Sequence, residues 1–372
     1  MRLSLVVGGI VLLVVAAIVV PCLLDAGEVS PSSGYALLEP IHSGNLTVFP
    51  VVAGKSFETG QFLTLDEGIR SGEVVVTEAG QAQGLIRRRP GLHPTPHLGG
   101  NAEVNQLVLI NNSKRPLLLL AGEIVTGGKQ DRVIGKDRIV PAESDPVDLS
   151  VFCVEPGRWT AAQGKIDFGT SRGEMPSVIA APAVRSKAMG AKDQQQVWDE
   201  VRKSQRAMAS SEAVVVAGQA PTVESTSSYA RVMGNKEVAK QVDSVAAPMQ
   251  HNYESVIRQL RDRNAVGVVV AVNGEVVWAD LFASTQLLQK YWPKLVRSYA
   301  TEAVVTRAKS AEASPRQAQK FLDDLQGRHE TADTEPGVYR QTEISGNGFR
   351  VFELTSLLPK TGFPVHVAKM AE

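Results

Sequence analysis

The sequence predicts an α+β fold, with mostly antiparallel sheet in its first half and a helix–hairpin–helix region in its second. Short runs rich in Val, Leu and Ile, separated by turn residues, follow one another over residues 35–155, as in antiparallel sheets. Later, Asn273 and Gly274 separate two β-branched runs, which is the strongest local signal of a β-hairpin. Strands and helices do not alternate regularly, so a parallel, doubly wound sheet is disfavoured.

The composition is that of a globular chain whose charges balance. Its 372 residues suffice for one large domain or two ordinary ones. Lys plus Arg equals Asp plus Glu at 39 each, so there is no net charge to favour nucleic acid, and we expect no nucleic-acid partner. Cys22 and Cys153 are the two cysteines, too few for a disulfide framework or a thiolate metal cluster.

Residues 3–24 form an uncharged, apolar run that is long enough to cross a bilayer as one helix. Arg2 precedes the run and acidic residues follow it, and this asymmetry predicts a cytoplasmic N-terminus. We therefore expect a signal anchor or transmembrane helix over 1–25 and a linker over 26–34. The rest of the chain would be the extracytoplasmic domain of a single-pass membrane protein.

Two alternatives stay open for this run. A cleaved signal peptide would give a secreted protein, although the run is longer than the usual apolar region of about 7 to 15 residues. Lipidation at Cys22 needs a small residue before the cysteine, and Pro21 stands there.

From residue 35 the pattern predicts strands joined by short turns, with one helix among them. Residues 64–72 carry a helix signature, in which Thr64 caps the N-terminus, Glu67 is its reciprocal partner and Gly72 ends the helix. Strands are expected over residues 46–52, 73–78, 105–110, 116–121 and 147–154. The last two are continuous apolar runs, which are typical of central strands.

After residue 159 the pattern changes to helices around the hairpin. Helices are expected over residues 194–210, 253–263, 285–303 and 317–325, a mobile loop over 218–228, and a final hairpin over 339–354. Pro293 should kink or split the third of these helices. We expect an exported α+β domain over 35–305 and a C-terminal extension over 306–372.

The segment 122–138 is the most site-like stretch, because glycine, charged and amide residues lie there between two apolar strands. Its glycines would form a backbone nest for an anion, with cations supplying charge, although the spacing is not that of a P-loop. The alternative is a glycine turn with solvated charges. The predicted ligand-binding residues are Gly127, Gly128, Lys129, Gln130, Asp131, Arg132, Arg158 and Trp159.

Other residues have both a functional and a structural interpretation. Glu123, at the mouth of a buried strand, is the candidate general base, or else it forms an ion pair with a cation of the same segment. Cys153 is a candidate nucleophile or a buried, inert thiol. His93 and His97 stand four apart, but the prolines between them exclude a helix, so no metal site is expected.

Two motifs in the block 111–159 carry a resemblance to a known family. They read AGE-x3-GGKQDR and CVE-x-GRW. With residues 194–201 and 250–300, this block resembles the ARG and rhodanese-phosphatase-superfamily-associated protein domain, over about residues 35–300. The resemblance implies a domain without an established activity. By association only, the family's name implies a link to ADP-ribose or phosphate chemistry.

The sequence therefore predicts a membrane-anchored binding or scaffold module, with a polar or anionic ligand site around 122–138. Its partners would be the membrane, through residues 3–24, and a small anionic ligand or an envelope protein. The alternative is an enzyme acting on a phosphorylated or ADP-ribose-like small molecule. No residue pattern identifies a cofactor.

Overall fold

A computed structural model describes residues 34–78, 106–157, 168–169, 177–260, 263–309 and 311–372. The strands are β1 (Tyr35–Leu37), β2 (Ile41–Ser43), β3 (Leu46–Ala53), β4 (Leu63–Thr64), β5 (Val74–Glu78), β6 (Gln106–Asn111), β7 (Leu117–Leu119), β8 (Ile124–Gly127), β9 (Arg132–Ile134), β10 (Arg138–Val140), β11 (Val147–Cys153), β12 (Phe168–Gly169), β13 (Asn264–Val272), β14 (Glu275–Phe282), β15 (Gly327–Glu335), β16 (Tyr339–Gly346), β17 (Phe349–Ser356) and β18 (Pro364–Ala371). The helices are α1 (Leu65–Ser71), α2 (Pro182–Ser186), a π-helix (Lys187–Ala191), α3 (Gln194–Ala209), α4 (Glu212–Val216), α5 (Ala220–Ser225), α6 (Tyr229–Gly234), α7 (Lys236–Gln259), α8 (Thr285–Val305) and α9 (Pro315–Asp323).

A nine-stranded antiparallel sheet forms the centre of the fold. Its strand order is β1-β3-β13-β14-β18-β17-β16-β15, and β2 pairs with β3. The hairpin β13–β14 lies in the middle, with the early strand β3 on one side and the last strand β18 on the other. The beginning and the end of the described chain therefore meet in one sheet. This arrangement confirms the predicted α+β class and its antiparallel sheets.

Two smaller sheets contain the first half of the chain. One has the order β10-β7-β4 and the other β12-β8-β9-β11-β6-β5, and of their strand pairs only β4–β7 is parallel. Each of the two long apolar runs lies between two neighbours, β7 between β10 and β4, and β11 between β9 and β6. The prediction of central strands at these two runs is confirmed. Strands β8, β9 and the start of β10 carry the segment 122–138.

The largest core lies between the nine-stranded sheet and the helices α7 and α8. The two helices pack together, with the rings of Tyr253 and Trp292 4.2 Å apart. Helix α8 is buried along most of its length and runs unbroken through Pro293. Packing on both sides of the proline offsets the hydrogen bond that a proline removes. The helix–hairpin–helix region is thus confirmed. The split expected at Pro293 was wrong, because one continuous helix passes through this residue.

The local signals of the first half are confirmed in detail. Thr64 accepts the N–H of Glu67, and the Glu67 side chain accepts the N–H of Thr64, which completes a capping box. Gly72 ends α1 with φ 72°. Such caps depend on neighbouring residues only, so the sequence predicts them well.

Two expectations about the second half were wrong, and two strands were not foreseen. The loop expected over 218–228 contains the short helix α5, with Val223 buried. Helix α7 begins at Lys236, well before the predicted start at residue 253, because Asn235 caps it and its buried side chains hold it together around Pro248. Strands β15 and β18 were not foreseen, because β15 is polar and exposed and β18 pairs with strands that are distant in sequence.

The prediction of a membrane-spanning helix is corrected. Within the described residues, each helix is too short or too polar to cross a bilayer. This finding does not support the expected transmembrane helix, signal anchor or single-pass location, and the prediction was wrong. Residues 3–24, to which they were assigned, lie outside the described residues.

Pro31–Glu372 form one compact unit. Strands β15–β18 of the expected C-terminal extension continue the same sheet as β14. The division into 35–305 and 306–372 stays a prediction about the chain's organisation.

The turn of the central hairpin gives a test of its geometry. Asn273 and Gly274 have φ of 53° and 79°, as a type I′ turn requires. A Cβ at Gly274 would lie 3.0 Å from Ala311 Cβ and from Glu312 O. We expect Gly274→Val to lower the free energy of unfolding by about 1–3 kcal/mol, measured by urea denaturation.

The control is Gly54→Val, because a Cβ at Gly54 meets nothing within 4 Å. This variant should unfold at nearly the same urea concentration as the wild type. Equal stability of the two variants would contradict the turn assignment.

Candidate functional site

The segment 122–138 runs through the core. Four of its charged side chains have exposed fractions of 1% or less: Glu123, Asp131, Arg132 and Asp137. Buried charges are tolerated only when they are paired or hydrogen-bonded. The contacts of these four groups therefore show what the segment does in the fold.

Glu123 lies in a buried ion pair. Its carboxylate accepts the N–H of Leu120 at 2.8 Å and lies 2.5 Å from Nζ of Lys294. Lys294 also contacts Asp66 at 2.5 Å. Burial raises the pKa of Glu123, although Lys294 acts to lower it. Lys294 stands 171 residues further along the chain, whereas the sequence pointed to cations of the same segment.

The turn between β8 and β9 is held by the protein's own groups. Asp131 accepts the N–H of Gly127 at 3.1 Å and the hydroxyl of Ser228 at 2.5 Å. The N–H of Asp131 donates to Glu155 at 3.0 Å, and Gln130 donates to the backbone carbonyl of Glu155 at 3.2 Å. These bonds fix the turn to the end of β11 and to the N-terminus of α6.

Two glycines of the segment leave room for side chains from elsewhere in the protein. A Cβ at Gly128, where φ is 47°, would lie 2.3 Å from the ring of Phe168. A Cβ at Gly122, where φ is 95°, would lie 2.6 Å from the side chain of Arg185. Close approach of packed side chains thus accounts for these glycines.

The remaining predicted residues fall into two groups. Lys129 is half-buried, and its N–H donates to Glu78 at 2.9 Å. Arg158 and Trp159, like His93 and His97, lie outside the described residues. Their predicted roles stay predictions.

Cys153 is a buried thiol. The N–H of Glu155 lies 3.3 Å from its sulfur. Burial raises the pKa of Cys153, which disfavours the nucleophilic thiolate. This environment matches an inert thiol.

The end of the segment does border a cleft. Gly135 and Lys136 line a cleft of about 280 Å³, together with β11, the π-helix and one face of β15–β17. The large apolar side chains that line it are Phe152, Met189 and Phe352. Strands from both halves of the chain therefore form this site.

Two ion pairs line the cleft. Nζ of Lys136 lies 2.5 Å from Asp333, and Nζ of Lys192 lies 3.0 Å from Glu343. Burial acts to raise the pKa of Asp333, but hydrogen bonds from Lys136 and Tyr339 hold it below its ordinary value. Two ammonium groups and two carboxylates give the lining no net charge.

Gln341 stands next to both ion pairs. It is the cross-strand partner of Asp333 and lies two residues from Glu343, so the three side chains share one face of the sheet. Gln341 is 3% exposed and lines the cleft. Among the described residues its side-chain amide has no hydrogen-bond partner. The amide keeps some accessible surface, and because Gln341 lines the cleft, its donors and its acceptor are open to a ligand.

The π-helix forms another wall of the cleft. It is followed by Lys192, which has φ 53° and ψ 36°, a left-handed conformation that is uncommon for a residue with a side chain. Arg350 donates to the carbonyl of Gly190 at 2.9 Å and fixes this end. Short π-helical turns and such backbone outliers often occur at functional sites.

A chain of buried charges holds the turn beside the cleft. Asp137 lies 2.6 Å from Nδ1 of His366, and Nε2 of His366 lies 3.2 Å from Asp280. Arg185 donates to both oxygens of Asp280 at 2.8 and 3.0 Å, and all four groups are 0% exposed.

Burial would lower the pKa of His366, but the two carboxylates raise it to about 9. At neutral pH the four charges therefore alternate in sign. No sequence pattern connects these distant residues.

The chain matches a known protein family. The sequence model of the ARG and rhodanese-phosphatase-superfamily-associated protein domain matches residues 34–368. The chain belongs to this family. The match confirms the resemblance and extends it to His366 and to the strands that form the cleft. No curated protein and no solved structure matches the chain.

The buried histidine of this family domain predicts a pH dependence of stability. The pKa of His366 is about 9 in the fold, above about 6.5 in an unfolded chain. Its stabilising contribution is therefore complete below about pH 6.5 and is lost as the pH rises through 9. We expect urea denaturation to show a falling free energy of unfolding over this window.

Two histidine variants isolate the effect. His366→Gln should be less stable at low pH and should lose this part of the pH dependence. His329→Gln, at an exposed position of β15, should keep the wild-type profile. A wild-type profile in His366→Gln would exclude His366 as its cause.

Proposed function

We propose that the chain is a binding module for a small polar ligand with one negative charge, held in the cleft at the end of the segment 122–138. The observation that carries the proposal is the side-chain amide of Gln341, which lines the cleft without a hydrogen-bond partner among the described residues. A ligand in the cleft can form hydrogen bonds to this amide in place of water.

The cleft offers a complement to each part of such a ligand. An ammonium group carries three N–H donors, and Lys136 and Lys192 each use one in the described structure, so each can also bind an anion. Phe152, Met189 and Phe352 receive an apolar group. The cleft of about 280 Å³ lies near the lower end of ligand pockets, which suits a small molecule.

The charge of the lining disfavours a second negative charge on the ligand. Asp333 and Glu343 stand beside the two lysines, so a second negative charge would meet carboxylates as well as ammonium groups. A phosphate ester carries nearly two charges at pH 7 and is less well matched. A carboxylate is the better fit.

The enzyme alternative has less support from the same residues. The family's name refers to an association with a rhodanese-phosphatase superfamily. Hydrolysis needs a nucleophile or base within hydrogen-bonding reach. Ser150 lines the cleft, but among the described residues no histidine or carboxylate is hydrogen-bonded to it. Both carboxylates of the lining are held in ion pairs.

Benzoate, which combines an apolar ring with one carboxylate, tests the proposal. We expect calorimetric titration to show binding, and Lys136→Met to weaken it about tenfold or more. The reason is that a hydrogen bond to a charged group contributes about 1.5–3 kcal/mol. Phenyl phosphate should bind less tightly than benzoate.

The matched control is Lys114→Met, which removes an exposed ammonium away from the cleft. It should leave benzoate affinity unchanged. Equal affinity in Lys136→Met, or a preference for phenyl phosphate, would refute the proposed site and favour the alternative.

A further inference from the structure

We infer that the ligand of this cleft contains a carboxylate separated by one carbon atom from a secondary amide, with an apolar group attached, as in an N-acyl amino acid. The C-terminal residue of a peptide has the same chemistry. The inference rests on the proposed function, because it names the ligand class of the same cleft.

Gln341 is best matched by an uncharged group that both donates and accepts hydrogen bonds. Its side chain offers one carbonyl acceptor and two N–H donors, all uncharged. An amide of the ligand presents an N–H donor and a carbonyl acceptor, so it can match either end of Gln341. A simple carboxylate can accept from Gln341 but leaves its carbonyl oxygen without a donor.

Gln341 and Lys136 are both placed beside Asp333 in the cleft. Asp333 and Gln341 are directly opposite on β15 and β16, where Cα atoms lie about 4.5–5.5 Å apart. Nζ of Lys136 is 2.5 Å from the carboxylate of Asp333. Lys136 and Gln341 therefore flank the same residue, Asp333, in the lining of the cleft. A ligand that contacts both must hold its anion and its amide close together, as an N-acyl amino acid does.

One wall of the cleft is apolar. Phe152, Met189 and Phe352 line the same cleft, so the ligand has an apolar group beside its polar ones. Either the acyl group or the amino-acid side chain can supply it.

Two probes that differ in one group test the amide. Hippurate contains a phenyl ring, a secondary amide and a carboxylate. In 4-oxo-4-phenylbutanoate a methylene replaces the amide N–H, and the rest of the molecule is kept. We expect calorimetric titration of the full chain to show about tenfold weaker binding of the ketone, because it leaves the carbonyl oxygen of Gln341 unmatched.

Gln341→Leu removes the amide from the cleft. This variant should lose the preference for hippurate over the ketone. Gln317→Leu, at an exposed position of α9, is the matched control and should keep the preference. Thermal melting checks that both variants fold, and the ratio of the two affinities in the wild type stands independently of either variant.

The outcomes separate this inference from the proposed function. Equal affinity of the wild type for hippurate and the ketone overturns the inference. Benzoate binding that depends on Lys136 would then leave the proposed function in place. Failure of benzoate binding in the wild type removes both.

A last pair of probes identifies the source of the ligand. N-acetylphenylalanine and acetyl-Gly-Gly-Phe share the carboxylate, the amide and the apolar side chain. Equal affinities identify a peptide C-terminus as the source, because a longer chain can then leave the cleft. Weaker binding of the longer probe identifies a free N-acyl amino acid.

Discussion

The fold depends on a line of four buried charges, Asp137, His366, Asp280 and Arg185. They connect the turn before β10, the last strand β18, the central strand β14 and helix α2, and Tyr299 of α8 adds a hydrogen bond to Asp280. Removing one member of such a group leaves an uncompensated charge in the core, which costs about 3–5 kcal/mol. The line therefore fixes how the two halves of the chain pack together.

The same line sets the shape of the cleft. Asp137 follows Lys136 directly, so the buried contact to His366 fixes the backbone from which Lys136 reaches the cleft. By contrast, the ion pairs of Lys136 and Lys192 are partly exposed, and exposed pairs contribute little to stability. The site thus has a rigid base and a rim whose charged groups can adapt to a ligand.

The glycines of the segment 122–138 have a different role from the one that their pattern suggested. Glycine next to charge in a sequence is typical of an anion-binding turn. Here Gly122 makes room for Arg185, and Gly128 makes room for Phe168. Both functions need a backbone without a Cβ, so composition alone does not distinguish them. The difference lies in which side chain, from elsewhere in the chain, occupies the space.

By itself, the sequence determined the features that neighbouring residues control. These are the capping box of Thr64 and Glu67, the Asn273–Gly274 turn, the apolar central strands, the α+β class and the family. Tertiary structure alone decided the continuous path of α8 through Pro293, the early start of α7, and the partners Lys294, Arg185 and His366. It also placed Gln341 in one cleft with Lys136, although the two stand far apart in the sequence. The physical reason is that a buried charge or amide requires a partner but does not encode where in the sequence that partner stands.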